Sequence, residues 1–308
     1  MLLVTGASGL LGASVLLRAR DMGQEVAGVS RRHALQVPGT VAHCVDLADQ
    51  AATRRIIEHL QPTSVIHCAA ATNVDWCEDH PGQAHRINTL ASSFLAALAR
   101  ELGCRFLHVS TDCVFDGTKG NYSEYDPPGP LNIYARSKLL AEEEVLRQHP
   151  AALVVRVNIY GWNAQPKYSL AEWILVELSS GRQVPGFTDV YFSPILVNDL
   201  AEILLTMLDR GMTGLYHVAG AEKISKYEFA MRVAEKFGFP VEQVVAKSVS
   251  DARLRAPRAL DVSLSTNKLF QAYGCSMPDV ATGLDEFKSL SQQGYVQQLR
   301  SYLTGAEK

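Results

Sequence analysis

A glycine-rich turn at the start of the chain constrains the fold more than any other stretch. Met1 to Val4 is a short apolar run, and it leads directly into Thr5-Gly6-Ala7-Ser8-Gly9-Leu10-Leu11-Gly12 and then a helical pattern. Strand, glycine turn and helix in this order are the context in which spaced glycines form a phosphate-binding loop. Gly6 would allow the tight turn, Gly9 would let a pyrophosphate approach the backbone, and Gly12 would let the helix pack closely. The spacing G-x-x-G-x-x-G leaves a chance cluster as an alternative, but its position at the first strand favours a dinucleotide site.

Strand-like and helical runs alternate along the rest of the chain. Apolar, strand-like segments recur at 24–29, 41–45, 64–68, 105–109 and 152–157. Strands alternating with helices at this spacing predict an α/β fold with a Rossmann-type, doubly wound parallel sheet. We expect residues 1–165 to form a dinucleotide-binding domain, to which 192–218 returns. We expect residues 166–308 to form mainly a smaller α/β substrate-binding domain.

Composition excludes several classes of protein. The 308 residues are 47% hydrophobic and 20% charged, and the formal net charge of -3 does not suggest a nucleic-acid partner. No apolar run is long enough to span a bilayer, so no membrane association is expected. The six cysteines show no C-x-x-C spacing and are expected to be buried free thiols in a reducing, cytoplasmic compartment. The nine histidines form no zinc pattern, so no metal is expected.

The segment after the second strand bears on the choice of cofactor. Ser30-Arg31-Arg32 stands where the adenosine ribose would lie. An arginine at this position suits a 2′-phosphate, whereas an acidic residue suits a free 2′-hydroxyl. The two arginines therefore favour NADPH, with NADH as the alternative cofactor. A solvated basic loop is the simpler interpretation of the same residues.

Candidate catalytic side chains lie after the fifth strand and at the start of a helix. Tyr134 and Lys138 are four residues apart, so they would share a helix face. A nearby cation would lower the pKa of the phenol from about 10 and make a proton-donating pair. Thr111, at the end of the fifth strand, offers a hydroxyl to a substrate oxygen. By itself Y-x-x-x-K is a common chance pattern, and Asp112 could simply cap its loop.

Two further segments are candidates for substrate contacts. Asn158 and Trp162 belong to an aromatic and polar run after the sixth strand, which could stack on a sugar or could close the core. Arg253, Arg255 and Arg258 surround Pro257 and could bind a diphosphate, for which arginine's fork geometry is suited. A solvated loop is the alternative.

Three motifs in order, GASGLLG at 6–12, STDCVFDG at 110–117 and YARSK at 134–138, resemble the extended short-chain dehydrogenase/reductase superfamily. The segments around Thr72-Asn73-Val74-Asp75 and Pro130-Leu131-Asn132-Ile133-Tyr134 are similar to its dTDP-4-dehydrorhamnose reductase group. The resemblance implies Thr111, Tyr134 and Lys138 as the catalytic triad. It implies a cofactor site that also includes Gly6, Ser8, Gly9, Leu10, Leu11, Gly12, Ser30, Arg31, Arg32, Asp46, Leu47, Ala69, Ala70 and Asn88. It implies a sugar pocket with Asp112, Cys113, Asn158, Trp162 and Arg258.

The implied reaction is reduction by NADPH of the keto group of a nucleotide-linked 4-keto-6-deoxysugar. Cys113 and Ile159 depart from the tyrosine and tryptophan usual in the group, which leaves the particular sugar and nucleotide open. The alternatives are a nucleotide-sugar epimerase of the same superfamily and a non-catalytic, NADP-binding regulatory subunit. Helices at 84–101 and 132–147 could form a homodimer face or be covered within the monomer.

Overall fold

A computed structural model describes residues 1–252 and 254–303. Its centre is a sheet of seven parallel strands in the order β3-β2-β1-β4-β5-β6-β11. The strands are β1 (Leu2–Thr5), β2 (Val26–Ser30), β3 (Val41–Cys44), β4 (Ser64–His67), β5 (Arg105–Thr111), β6 (Leu153–Val157) and β11 (Gly214–His217). The first six follow the doubly wound order 3-2-1-4-5-6, so the predicted Rossmann-type fold is confirmed.

Helices cover both faces of this sheet. They are α1 (Leu10–Asp21), α2 (Gln50–Leu60), α3 (Val74–Asp79), α4 (Pro81–Ala84), α5 (Ala91–Glu101), α6 (Ile133–Gln148) and α8 (Val197–Asp209). One apolar core lies under α1 and α8, and a second lies under α2 and α5. Strands buried on both faces explain the nearly continuous apolar runs at β1, β2 and β6.

The remaining elements build a smaller α/β layer with its own aromatic core. Three two-stranded pairs join β10 to β7, β12 to β9 and β13 to β8. Their strands are β7 (Ile159–Tyr160), β8 (Val184–Phe187), β9 (Tyr191–Phe192), β10 (Ile195–Leu196), β12 (Ile224–Ser225) and β13 (Val244–Lys247). The helices are α7 (Leu170–Ser179), α9 (Lys226–Phe237), α10 (Asn267–Tyr273), α11 (Val280–Gln292) and α12 (Tyr295–Ser301). Phe192, Phe229 and Phe287 are fully buried in this core.

Two long helical runs are interrupted in the structure. The run from Pro81 to Leu102 contains a π-helical turn at His85–Leu90 between α4 and α5. The run from Val280 to Leu303 breaks at Gly294, whose positive φ of 78° ends one helix before the next begins. A capping box precedes α9, since Ser225 and Glu228 exchange both bonds.

The cysteines differ in part from the prediction. All six are free, but Cys44 and Cys275 are exposed rather than buried, because they lie at a sheet edge and in a surface turn. Among the helices of the described residues, we find none with the length and apolarity needed to cross a membrane.

Candidate active site

A deep cleft of about 790 Å³ opens at the carboxyl ends of β1, β4, β5 and β6. Parallel α/β sheets bind their ligands at this edge, where the strand order reverses. The cleft brings together the glycine turn, the loop after β4, Thr111 and the start of α6. Segments more than a hundred residues apart in the sequence therefore share one cavity.

The glycine turn has the geometry expected of a phosphate loop. Gly6 has a φ of 66°, and a Cβ at this position would lie 2.7 Å from the Ala69 nitrogen. A Cβ on Gly12 would lie 2.1 Å from the Gly6 carbonyl oxygen, so α1 can approach its own turn only with glycine there. Ser8, Gly9, Leu10 and Leu11 line the cleft at the amino end of α1. The helix dipole and its free amide donors face the space where a pyrophosphate would lie.

The opposite wall carries the predicted ribose and adenine positions. Ser30, Arg31, Asp46 and Leu47 line the cleft, and the Ser30 hydroxyl accepts a 3.1 Å bond from the Ser8 amide. Arg31 is exposed, so its guanidinium is accessible to a phosphate. Arg32 is exposed too but is not among the residues that line the cleft. The structure thus places Arg31 in the cleft and Arg32 outside it, although both were predicted to contact the cofactor.

The residues after β4 have short side chains, which leave space in the cleft. A buried side-chain amide holds this segment in place. Ala69, Ala70 and Ala71 line the cleft. Asn88 is fully buried and does not, which corrects its assignment as a cofactor contact. Its side chain accepts from the Ala71 amide at 2.7 Å and donates to the Ser137 hydroxyl at 2.9 Å. Asn88, inside the π-helical turn, therefore ties the cleft wall to the helix that carries Tyr134.

Tyr134 stands in the first turn of α6, whose start is fixed from two sides. Asn132 caps the helix by accepting from the Ala135 amide, and the Glu78 carboxylate accepts from the Ile133 amide at 2.7 Å. Burial raises the pKa of the Tyr134 phenol far above its usual value, and the negative charge of a Cys113 thiolate would raise it further. A hydrogen bond with Thr111 offsets part of this rise. The Tyr134 phenol therefore keeps its proton, and it lies next to the Thr111 hydroxyl.

Lys138 lies one helical turn further along, and residues of β5 hold its amine. Its Nζ donates to the Val109 carbonyl at 2.8 Å and contacts His108 Nε2 at 3.0 Å. Burial lowers the pKa of Lys138 to about 8, against the opposing attraction of Glu142. Lys138 lines the cleft, but the expected lowering of the Tyr134 pKa is wrong for this structure, because burial of the phenol raises that pKa.

The end of the cleft beside Thr111, where the sequence predicts the sugar pocket, has a buried carboxyl group. Asp112 accepts from the Asn158 amide at 2.5 Å and from the Thr111 hydroxyl at 3.1 Å, and it lies 3.5 Å from the Cys113 sulfur. Burial raises the pKa of Asp112, and it raises that of the Cys113 thiol to about 12. Lys226, on α9 of the smaller layer, opposes the rise at Asp112 through its charge. Asp112, Cys113 and Asn158 all line the cleft, so this end is a polar, uncrowded pocket.

Two predicted sugar contacts lie elsewhere. Trp162 stacks on Phe287 at 4.1 Å between ring centroids and donates to the Phe287 carbonyl, so it belongs to the aromatic core. Arg258 binds Asp75 of α3 at 3.1 Å and is not among the residues lining the cleft. Trp162 and Arg258 are thus bonded to residues outside the cleft, which corrects the assignment of both as sugar contacts.

Arg255 likewise binds Asp79 at 2.9 Å, while Arg253 lies outside the described residues. The described arginines therefore fasten the loop around Pro257 to α3. The described part of this loop therefore does not present a free arginine cluster to a diphosphate.

Sequence reasoning missed a loop that crosses the cleft. Gln165 donates to the Ser8 hydroxyl at 3.0 Å, and Lys167 donates to the Thr72 hydroxyl at 2.8 Å. Both line the cleft together with Tyr168. These bonds connect the entry of the smaller layer to the glycine turn and to the loop after β4. Their sequence context, a polar run with one proline, carries no signal that could have identified them.

Comparisons with known proteins agree with this geometry. The family model described as the RmlD substrate binding domain matches residues 1–292. A protein of Haloferax volcanii named as a probable low-salt glycan biosynthesis reductase is 33% identical over 91% of this chain and 95% of its own length. Methionine adenosyltransferase 2 subunit beta of Xenopus laevis is 33% identical over 87% of this chain and 80% of its own length. The crystal structure of a dTDP-4-dehydrorhamnose reductase from Clostridium acetobutylicum, 26% identical, superposes with a TM-score of 0.84, covering 94% of this chain and 99% of that one.

Proposed function

The chain belongs to the RmlD substrate binding domain family, within the dTDP-4-dehydrorhamnose reductase-like group of short-chain dehydrogenases/reductases, and from this premise we propose that it reduces a nucleotide-linked 4-keto-6-deoxysugar with NADPH. It is an NAD(P)-dependent oxidoreductase, with NADPH as the expected cofactor and NADH as the alternative. The proposal concerns the substrate class and the roles of the residues.

One observation carries the proposal: the glycine turn and the Thr111–Tyr134 pair face the same cleft. A dinucleotide with its phosphates at the start of α1 extends along the ends of β1 and β4, toward Tyr134. The low wall of Ala69 and Ala70 leaves room for a flat ring there. These features suit a bound dinucleotide.

The residues of the cleft would divide the work as follows. NADPH, when bound, supplies the hydride. Tyr134 donates its proton to the oxygen of the keto group as negative charge develops there. Thr111, whose hydroxyl donates to Asp112 in this structure, would turn that proton to the same oxygen and orient it, and Lys138 would provide a nearby positive charge. General acid catalysis of this kind contributes about 10²–10⁴-fold to the rate.

Asp112, Cys113 and Asn158 are the residues that we propose to contact the sugar. All three lie beside Thr111 in the cleft. Cys113 is a short side chain, so the pocket is more open than one closed by a tyrosine. The hydrogen-bonded Asp112 and Asn158 would select hydroxyl groups of the sugar.

The proposed domain division assigns cofactor binding to residues 1–165, with 192–218 returning to the first domain, and sugar binding mainly to 166–308. The separate aromatic core of the smaller layer and the pairing of β11 with β6 support this division. The six free cysteines suit a reducing compartment, which supports a cytoplasmic location.

The first test is NADPH oxidation over a panel of dTDP- and UDP-linked 4-keto-6-deoxysugars. We predict turnover of at least one of them, and a loss of about 10²–10⁴-fold in kcat for Tyr134→Phe with NADPH affinity nearly unchanged. Tyr125→Phe is the control, because Tyr125 is 84% exposed and lies outside the cleft. Wild-type turnover by folded Tyr134→Phe would disprove the role of the phenol. Conversion of the sugar without net loss of NADPH would indicate an epimerase.

A regulatory role is the second candidate, favoured by the similarity to methionine adenosyltransferase 2 subunit beta. On this hypothesis the chain binds NADP and a catalytic partner and has no turnover of its own. Co-purification with a methionine adenosyltransferase, together with tight NADPH binding and no oxidation on any sugar of the panel, would support it. The complete Thr111, Tyr134 and Lys138 set favours the enzyme.

A further inference from the structure

A histidine lies directly beneath the catalytic lysine, inside the layer between the sheet and α6. His108, on β5, has no exposed surface, and its Nε2 is 3.0 Å from Lys138 Nζ. The next residue supplies the other contact, since the Val109 carbonyl accepts from the same Nζ at 2.8 Å. Two neighbouring residues of one strand therefore hold the amine from two directions.

The chemistry of the two groups fixes which atom donates. A lysine ammonium has donors only, so His108 must accept at Nε2 and carry its own proton on Nδ1. His108 Nδ1 is buried and has no partner among the described residues. A buried, unsatisfied donor is costly, and an apolar side chain would fill this position without that cost. The imidazole is therefore explained by its bond to Lys138 and not by packing.

Charged and titratable groups surround the pair on every packed element. They are His67 of β4, Cys68 directly after that strand, Glu142 and Tyr134 of α6, and Arg156 of β6, which binds Glu142 at 2.7 Å. Burial and the Lys138 charge hold the pKa of His108 well below its usual value, so the imidazole is neutral. His67 is engaged elsewhere, since its ring nitrogens contact Thr5 and Ser92. Among the described residues, His108 is thus the side chain that can accept from the lysine.

We propose that His108 is a positioning residue for Lys138, accepting its N–H so that the amine stays protonated and in place beneath Tyr134. The proposal deepens the function proposed above and rests on the role of Lys138 there. It goes beyond that function because it assigns a task to a side chain that touches neither cofactor nor sugar. Without the acceptor, the buried ammonium has one hydrogen bond fewer and loses its proton more readily.

The first test needs no variant. Nitrogen-15 NMR of the full chain, with labelled histidine, reports the protonation of each imidazole nitrogen, and the spectrum of His108→Gln assigns the signals. We expect neutral His108 with its proton on Nδ1 throughout the neutral pH range. A proton on Nε2, or a doubly protonated ring, would overturn the proposal.

The second test measures the pKa of Lys138 by its rate of acetylation with acetic anhydride as a function of pH, followed by peptide mass spectrometry. We expect His108→Leu to lower that pKa by about one unit, and His108→Gln, which keeps an acceptor, to restore most of the shift. His67→Gln is the matched control, because His67 lies at the paired position on β4 but does not bond Lys138. An unchanged Lys138 pKa in His108→Leu would overturn the proposal.

The two proposals fail in different ways. Absence of turnover on every sugar, with the expected tautomer and Lys138 pKa shift, contradicts the proposed reduction only. Normal turnover and an unchanged Lys138 pKa in His108→Leu contradict the role of His108 only. If His108→Leu does not fold, the tautomer of the wild-type protein still decides.

Discussion

The two ends of the cleft are built on different physical principles. The cofactor rim, formed by Gly6, Gly9, Arg31, Asp46 and Ala69, uses backbone geometry and solvent-facing charges. The polar floor, formed by Thr111, Tyr134, Lys138, His108 and the Glu142–Arg156 pair, uses side chains that are buried, apart from the half-buried Tyr134. A floor of this kind sets protonation states, because burial penalises every charge in it.

We therefore predict that substitutions in the floor lower the stability of the fold, whereas substitutions in the rim weaken ligand binding. The floor couples catalysis to stability, since Glu142 both pairs with Arg156 and attracts the Lys138 ammonium one turn away. In the part of the chain that the structure describes, Arg31 and Asp46 of the rim form no ion pair that would couple ligand binding to stability. The following predictions can break or sharpen this contrast.

The largest effect is expected for Arg156→Met. Arg156 and Glu142 have side chains only 4% and 5% exposed, and the pair is bonded at 2.7 Å. Removing the guanidinium leaves a buried carboxylate without its partner, which costs about 3–5 kcal/mol in the free energy of unfolding. Urea titration monitored by circular dichroism measures the loss.

Arg54→Met is the control for that substitution. Arg54 makes a bidentate ion pair with Glu101, but on the surface, where solvent screens the charges. A loss for Arg156→Met no larger than that for Arg54→Met would contradict the description of the floor as a buried charged layer.

A smaller and purely functional effect is expected for Arg31→Ala. If Arg31 holds the 2′-phosphate, its loss should raise the Kd for NADPH roughly 10- to 100-fold and leave NADH binding and the Tm unchanged. Fluorescence titration with both cofactors measures the change. Arg32→Ala provides the matched control, because Arg32 does not line the cleft. Equal effects of the two substitutions would show that the rim acts by general charge alone.

The mildest effect is a pH dependence without any substitution. The pKa of Lys138 is lowered by burial to about 8, so the group loses its positive charge as the pH rises through that value. The Tyr134 phenol stays protonated there, because burial raises its pKa. We therefore expect kcat/KM to fall above about pH 8, by about tenfold per pH unit, through Lys138. A profile that stays flat well above that pH would show that the lysine charge is not required.

The rim was largely predictable from the sequence. Glycine spacing after a first strand reports backbone requirements directly, because Gly6 needs a positive φ and Gly12 has no room for a Cβ. Arg31 was predicted from its position after a strand, and Asp46 and Leu47 were predicted from the family resemblance; all three line the cleft. Such local signals survive in a linear sequence, since the strand and the loop that follows it are contiguous.

Of the floor, the sequence predicted Thr111, Tyr134 and Lys138, but not His108 or the Glu142–Arg156 pair and not the contacts among these residues. Tyr134 and Lys138 were identified by helical spacing, but the direction of the lysine depends on His108 and Val109, from a different strand. Asn88 and Trp162 were misplaced for the same reason. An amide bonded to Ala71 and an indole stacked on Phe287 look, in the sequence, like groups free to meet a ligand.

The sequence by itself determined the doubly wound sheet, and it predicted the phosphate turn and the hydroxyl, phenol and amine that the structure places in one cleft. These follow from residue type and spacing within single elements. Only the tertiary structure decided which arginine faces the cleft, where the Lys138 proton is held and which way the phenol pKa moves. Those properties depend on burial and on partners distant in the chain, and desolvation is a property of the packed molecule rather than of any segment.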